Sequence, residues 1–285
     1  MPIITFIDET GKIWTPNGGA QINTSLQQLG TGCGQFASSS DNISTPGHAD
    51  FGFGTGDWTI DFWVLCAFGG LGGGIQLVSQ SVDGANYWKI YYNPGSGGFG
   101  YYYTQAGNGT ITWPDFFGGI SPPSPVWHHL AFVRHGLDAL IFFDGGLLST
   151  TNPFSGVPSG IQNLGVPIII NDGWHTYEFM DEFRISKGIA RWTAPFSVPV
   201  ANYSLDSYTK SLIHFDIPVP ITTPAPTTTL APTTTPAPHT STITKNNYIV
   251  VRPPVPNIPH FSINRYEEQK RRMYDVLPNI YKEQL

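Results

Sequence analysis

The 285-residue sequence predicts an all-β protein whose main body is a sandwich of two sheets. Three observations carry that prediction. Glycine (32) and proline (25) recur between short aromatic and β-branched runs, the pattern of many short strands joined by turns. Aromatic residues reach 14% of the chain, which supplies bulky side chains for the interior of a sandwich. Bulky residues also alternate with polar ones: after the Gly54-Thr55-Gly56 turn, Trp58, Ile60, Phe62 and Val64 point one way and Thr59, Asp61 and Trp63 the other.

Taken in order, the expected strands begin at residues 3–7, 34–37 and 42–45, each a short run. Residues 57–65 form the alternating strand just described, and 76–81, 87–92 and 100–105 follow after the glycine-rich loop tip at 69–74. Residues 127–134 and 139–144 make the clearest hairpin, two alternating runs joined at His135-Gly136-Leu137-Asp138. Strands at 166–171 and 177–186 come next; in the second, Phe179, Asp181, Phe183 and Ile185 occupy successive same-face positions before a turn at Lys187-Gly188. A last strand at 211–216 closes the body. Some twelve strands before residue 217 match a two-sheet jelly roll.

Residues 218–245 are a different kind of polymer, rich in proline and threonine. Repeated proline forbids helix and β-branched threonine favours extended backbone, so polyproline II is expected there. The segment is read as a linker or strap. Residues 246–285 read as a docking segment. Tyr248-Ile249-Val250-Val251 is suited to adding a strand to a partner's sheet. Ser262 is placed to cap a short helix, in which Tyr266, Met273, Leu277 and Ile280, with Tyr281 beside them, supply the apolar contacts and Pro278 breaks or restarts the helix. One such helix is marginal alone, so it is expected to fold against a partner or another copy of the chain.

Charge bounds the partners. Residues 1–245 carry 8 Lys/Arg against 16 Asp/Glu, while 246–285 carry 6 against 4, so the body is acidic and nucleic acid is an unexpected ligand for it. Only 12% of residues are charged, which suits a surface partly covered by neighbours in an assembly. Cys33 and Cys66 form neither a disulfide framework nor a zinc spacing. The start, Met-Pro-Ile-Ile-Thr-Phe, lacks a basic n-region, and no run approaches the ~20 apolar residues that span a bilayer; the expectation is cytoplasmic synthesis without a signal peptide or membrane insertion.

The run from Phe53 to Val64, the Met180-Asp181-Glu182-Phe183-Arg184-Ile185-Ser186-Lys187-Gly188 block, the stretch 26–36 with its following Ser44-Thr45-Pro46, Trp127-His128-His129-Leu130-Ala131-Phe132-Val133-Arg134, and Phe142-Phe143-Asp144-Gly145 occur in this order. Together they resemble laminin-G-like, concanavalin A-like jelly-roll domains of bacteriophage virion proteins. The resemblance implies a binding or structural module. Such domains usually open with a Leu-Leu-His-Phe-Asp-like strand before the segment that corresponds to Asp8-Glu9-Thr10-Gly11. Here the matching residues, Ser211-Leu212-Ile213-His214-Phe215-Asp216, stand at the other end, and a strand entering from that end is expected to fill the slot.

Catalysis is disfavoured residue by residue. Glucanases of this fold carry Glu-x-Asp-x-Glu, which is absent; Asp57 and Asp61, and the adjacent Asp181-Glu182, read as turn caps and strand-surface charges. His128 and His129 alternate faces and cannot chelate one ion from a regular strand, and there is no G-x-S-x-G elbow or P-loop lysine. No cofactor is expected, with calcium held as the open exception: Asp83, Asp115 and Asp172 lie in expected loops but form no D-x-D-x-D-G cluster. Glycan binding is the serious option, through Trp88, Tyr91, Tyr102, Trp113 and Trp174, whose rings can stack on sugars; Tyr101-Tyr102-Tyr103 must present a ring on each face of its strand.

These readings converge on a non-enzymatic phage virion structural protein, a capsid decoration or head-fibre type appendage whose sandwich (1–217) is displayed and whose C-terminal segment anchors it. Other virion proteins of the capsid, neck or tail are the expected partners through 218–285, with homo-oligomers, trimers among them, and host surface glycans. The second reading is a tail-associated adhesin that recognises host glycans.

Overall fold

The computed structural model describes residues 6–66, 75–93, 98–106, 109–116, 126–151, 153–157, 160–172 and 178–218. The linker, the docking segment and the anchoring candidates Tyr248, Ile249, Val250, Val251, Tyr266, Met273, Leu277, Ile280 and Tyr281 lie outside the described residues.

Two antiparallel sheets face one another in a jelly-roll sandwich. The first runs β1 (Phe6–Ile7), β2 (Ile13–Asn17), β5 (Asn42–Thr45), β14 (Ile168–Ile170), β7 (Ile75–Asp83), β8 (Asn86–Asn93), β9 (Gly98–Gln105) and β10 (Gly109–Phe116). The second runs β13 (Gly146–Thr151), β12 (Asp138–Phe143), β11 (His128–His135), β6 (Trp58–Cys66), β15 (Glu178–Lys187), β4 (Cys33–Phe36) and β3 (Gln21–Asn23), with β16 (Thr209–Ile213) also paired to β15. Among the described residues no helix is long and apolar enough to cross a membrane.

The alternation read from sequence sets the core. Trp58, Ile60, Phe62 and Val64 of β6 meet Trp88, Ile90 and Tyr92 of β8 and Tyr101 and Tyr103 of β9 in one buried cluster. The β11–β12 hairpin pairs Leu130 with Phe143 and Arg134 with Ala139, close to the expected bounds. Four strands, β2, β3, β10 and β13, were not expected. β2 and β10 each contain a proline, which removes a ladder donor, and β10 shifts register between Trp113 and Phe116, on either side of Pro114. β3 has only three residues, too few to show a period.

β15 departs from the expected alternation. Its pairing with β6 shifts register between Asp181 and Arg184, and Glu182 sits at φ 53°, so one extra residue is accommodated in a bulge. The parity therefore inverts: Phe179 lies in a cluster on the outer side of the sheet with Trp63 and Leu65, whereas Met180, Phe183 and Ile185 lie in the main core. Phe179 and Phe183 do not share a face.

The C-terminal strand fills the expected slot. β16 pairs Phe183 with Ile213 and Ile185 with Ser211, beside the half of β15 that β4 leaves open, and Asp8 bridges to Ile213. Asp8 ties the two ends together, accepting from Ser211 Oγ at 2.6 Å, Trp14 Nε1 at 3.0 Å and Thr10 N at 2.7 Å. The outer face of this second sheet is covered in turn by residues 188–208: Trp192 and Phe196 pack on Ala131, Val133, Leu140 and Phe142, and Tyr203 packs with Trp63, Trp127 and Leu212.

Candidate functional site

Two polar constellations stand out, and only one is open to a ligand. The closed one lies on the covered face of the second sheet. Asp61, fully buried, accepts from Arg184 Nε at 3.0 Å and Nη2 at 2.8 Å. Tyr203 lies over the Arg184 guanidinium at 4.1 Å, and its hydroxyl is 2.8 Å from His129 Nε2. Burial pushes the Asp61 carboxyl up, but Arg184 and His129 outweigh it and hold it below the ordinary carboxylate range. Glu182 accepts from Tyr203 N and pairs with His214 Nδ1 at 2.8 Å. Asp181 accepts from Gln28 N and Leu29 N, each at 2.9 Å, and burial pushes its carboxyl well up. These groups hold two loops onto the sheet. They present no paired carboxylates to a substrate. The reading of Asp61 and Asp181-Glu182 as strand-surface charges is corrected: all three are fully buried, because Gln28, Leu29 and residues 188–208 cover the outer side of the sheet. Asp57 caps the hairpin turn, accepting from Gly136 N at 2.8 Å. His128 and His129 also divide as expected, His128 to Asp144 at 2.8 Å and His129 to Tyr203.

The open constellation lies on the outer face of the first sheet. On β8 the even positions Trp88, Ile90 and Tyr92 fill the core, so Tyr87, Lys89 and Tyr91 point outward. On β9 Tyr101 and Tyr103 are core and Tyr102 faces out. Cross-strand pairing sets Ser79, Lys89 and Tyr102 side by side on β7, β8 and β9. Lys89 Nζ lies 5.3 Å from the Tyr87 ring centroid, 5.7 Å from Tyr102 and 5.9 Å from Tyr91. A cation over aromatic faces at such distances is stabilised by about 0.5–2 kcal/mol. Tyr91 donates to the Tyr102 hydroxyl at 2.6 Å, with ring centroids 4.5 Å apart. Gly100 stands opposite Tyr91, and a Cβ there would lie 2.4 Å from the ring, so glycine is what lets the tyrosine lie against the sheet.

Next to this cluster is a pocket of about 270 Å³ lined by Gln76, Ser79, Ser81, Asp83, Tyr87, Lys89 and Asp172 among others. Asp172 Oδ2 accepts from Ser79 Oγ at 2.5 Å, and its backbone is tied to Gln76. Asp83 closes the β7–β8 turn, accepting from Ala85 N at 2.7 Å and Asn86 Nδ2 at 3.0 Å. Two of the three calcium candidates thus border one pocket; of Asp115 only the backbone, on β10, is described. Among the described residues no three acidic, histidine or cysteine side chains cluster as a metal site would require.

The structure sorts the sugar-binding candidates. Tyr91 and Tyr102 are brought together on the outer face, where Tyr102 is partly exposed, but Tyr91 is corrected as an exposed candidate: at 8% exposure it is buried against Gly100 and Tyr102. Trp88 is a correction: it is fully buried, donates from Nε1 to Gln80 Oε1 at 2.9 Å and packs on Phe53 and Tyr101, because its place on β8 has the core parity. The Trp113 backbone pairs with Tyr101 on β10 and its side chain lies outside the description; Trp174 lies outside the described residues altogether. Sequence reasoning missed Tyr87 and Lys89, although Tyr87-x-Lys89-x-Tyr91 is an outward alternation that pointed to them. The sequence suggests Asp172 only as a calcium candidate.

A family model described as the concanavalin A-like lectin/glucanases superfamily matches residues 37–190, more than half of the chain. Among solved structures, the binding domain of Paraclostridial Mosquitocidal Protein 1 matches with a TM-score of 0.51 at 18% identity, covering 66% of this chain and 49% of that one. The HCR/D F1240A mutant matches with a TM-score of 0.51 at 12% identity, covering 66% and 48%. The chain therefore spans about half the length of these structures, and at such identities the likeness is one of fold. No curated protein matches the sequence.

Proposed function

Since the chain belongs to the concanavalin A-like lectin/glucanases superfamily, we propose that it is a non-enzymatic, lectin-like module that binds glycans on the outer face of its first sheet. The observation that carries this reading is the cluster of Tyr87, Lys89 and Tyr102 beside the Asp172 pocket: aromatic surface for sugar rings next to a fixed acceptor and a cation. A printed glycan array with the full chain tests it. Binding in the mM to µM range, about −4 to −8 kcal/mol, is expected for a single site. It is expected to fall at least tenfold in Tyr87→Ala with the melting temperature kept. Failure to bind any glycan, or full binding by Tyr87→Ala, overturns the reading.

The wider setting follows from the Pro/Thr run and the C-terminal segment. We propose a phage virion appendage, of capsid decoration or head-fibre type, that assembles as a homo-oligomer, is anchored through 218–285 and displays the sandwich at the particle surface. A tail-associated adhesin is the second reading, favoured by the same outward-facing tyrosines. Cryo-electron microscopy of intact particles separates the two: residues 246–285 threaded on capsid or neck subunits support the first, and docking on tail proteins supports the second. Absence of the protein from particles overturns both.

A further inference from the structure

Resting on the glycan-binding reading of this face, we propose that the pocket selects uncharged sugar rings, with Asp172 and Lys89 as its specificity-determining pair. The argument is one of unmet hydrogen bonding and charge. Lys89 forms no ion pair among the described residues, so its ammonium keeps three donors beside the pocket. Asp172 uses Oδ2 for the Ser79 hydroxyl, and its Oδ1 has no hydrogen-bond partner among the described residues. Asp83 is committed to the backbone and side chain of its own turn, but it adds a second negative charge at the rim.

The wall therefore offers one free anionic acceptor and one free cationic donor in the same pocket. A sugar hydroxyl is the group that complements both, since each donates one hydrogen bond and accepts others. Neighbouring hydroxyls on a neutral ring can give to Asp172 and take from Lys89 while the ring lies against Tyr87. An acidic sugar would satisfy Lys89 but would bring its carboxylate toward Asp172 and Asp83; an amine would meet the reverse difficulty at Lys89. Like-charge juxtaposition of this kind discriminates more strongly than it attracts. The volume, about 270 Å³, lies just below the ~300–1,000 Å³ of pockets that enclose drug-sized ligands, and so suits a short glycan terminus.

The test uses the full chain on an array of neutral hexose and N-acetylhexosamine glycans, set against uronate- and sialate-bearing glycans, followed by titration of the best binder. Binding to neutral glycans is expected to change less than about twofold between 50 and 500 mM salt, because no net charge is neutralised. Asp172→Asn and Lys89→Ala are each expected to weaken it about tenfold or more, the scale of one charge-assisted hydrogen bond. Melting temperature checks that both variants fold. If only acidic glycans bind and Lys89→Ala abolishes that binding, the glycan-binding face stands and the neutral-sugar inference falls. Neutral binding that is indifferent to Asp172→Asn also overturns the inference. If no glycan of either class binds, the face itself is not a glycan site.

Discussion

His214 shows how single residues couple this fold to pH. Its ring meets Glu182, with Glu9 and Asp216 also near, and the hydrogen bond it donates to the Glu182 carboxylate raises its pKa above the ordinary histidine value against the opposing effect of burial. A group whose folded pKa is raised contributes stability that is complete below its unfolded pKa, about 6.5, and is lost as pH rises through the folded value. Denaturant midpoints are therefore expected to decline from pH 6 into the alkaline range. His214→Gln should remove that part of the decline, and identical profiles for the two proteins would show that the pair is not coupled to folding. Asp61 acts in the opposite sense. Its folded pKa is lowered, so its contribution is present above about pH 3.9 and is lost as pH falls through the folded value.

Among the elements, β15 and β16 decide whether the second sheet closes. The bulge at Glu182 turns Phe183 and Ile185 into the core and aims the Glu182 carboxylate at Tyr203 and His214, so one irregular residue both packs the sheet and pins its cover. β16 buries Leu212 and Ile213 and pairs with β15, while Asp8 and Thr10 hold Ser211 and the Lys210 carbonyl. A chain ending at Ser207 lacks the strand and leaves the inner edge of β15 unpaired. It is expected to be unfolded or aggregated by circular dichroism and size-exclusion chromatography, whereas a chain ending at Pro218 should melt with the full-length protein. A folded, monomeric chain ending at Ser207 would show that β16 is dispensable.

For the whole molecule, the two sheets differ in what covers them. The second carries residues 188–208 on its outer side, which explains how Asp61, Arg184 and His129 come to be buried on a face that alternation alone would give to solvent. Replacing such a cover by water would leave that ion pair exposed and the Trp63 and Phe142 faces wet. The first sheet keeps its tyrosine-rich outer face partly accessible between β7 and β9, and this asymmetry is why the proposed binding is placed on that side of the sandwich. The chain ending at Pro218 should accordingly retain glycan binding per molecule at a single site. A loss of all affinity in that shorter chain, with its melting temperature intact, would place the binding in residues 219–285 instead.

Much of this was legible in the residues themselves. The alternation in β6 and the β11–β12 hairpin is a local property of extended backbone, so Trp58, Phe62 and Phe132 declare their faces without reference to any partner. The same rule applied to Tyr87, Lys89 and Tyr91 would have kept Trp88 out of the sugar-binding set. Other features rest on contacts between residues far apart in the chain. The inversion at Glu182 depends on which residue of β6 it faces, the place of β16 depends on where β4 stops, and the meeting of Asp172 with Lys89 depends on β14 and β8 flanking β7. Periodicity determines which side of a strand a residue takes; only the paired sheets determine what stands opposite it, because register and burial are set by neighbours that the local sequence does not contain.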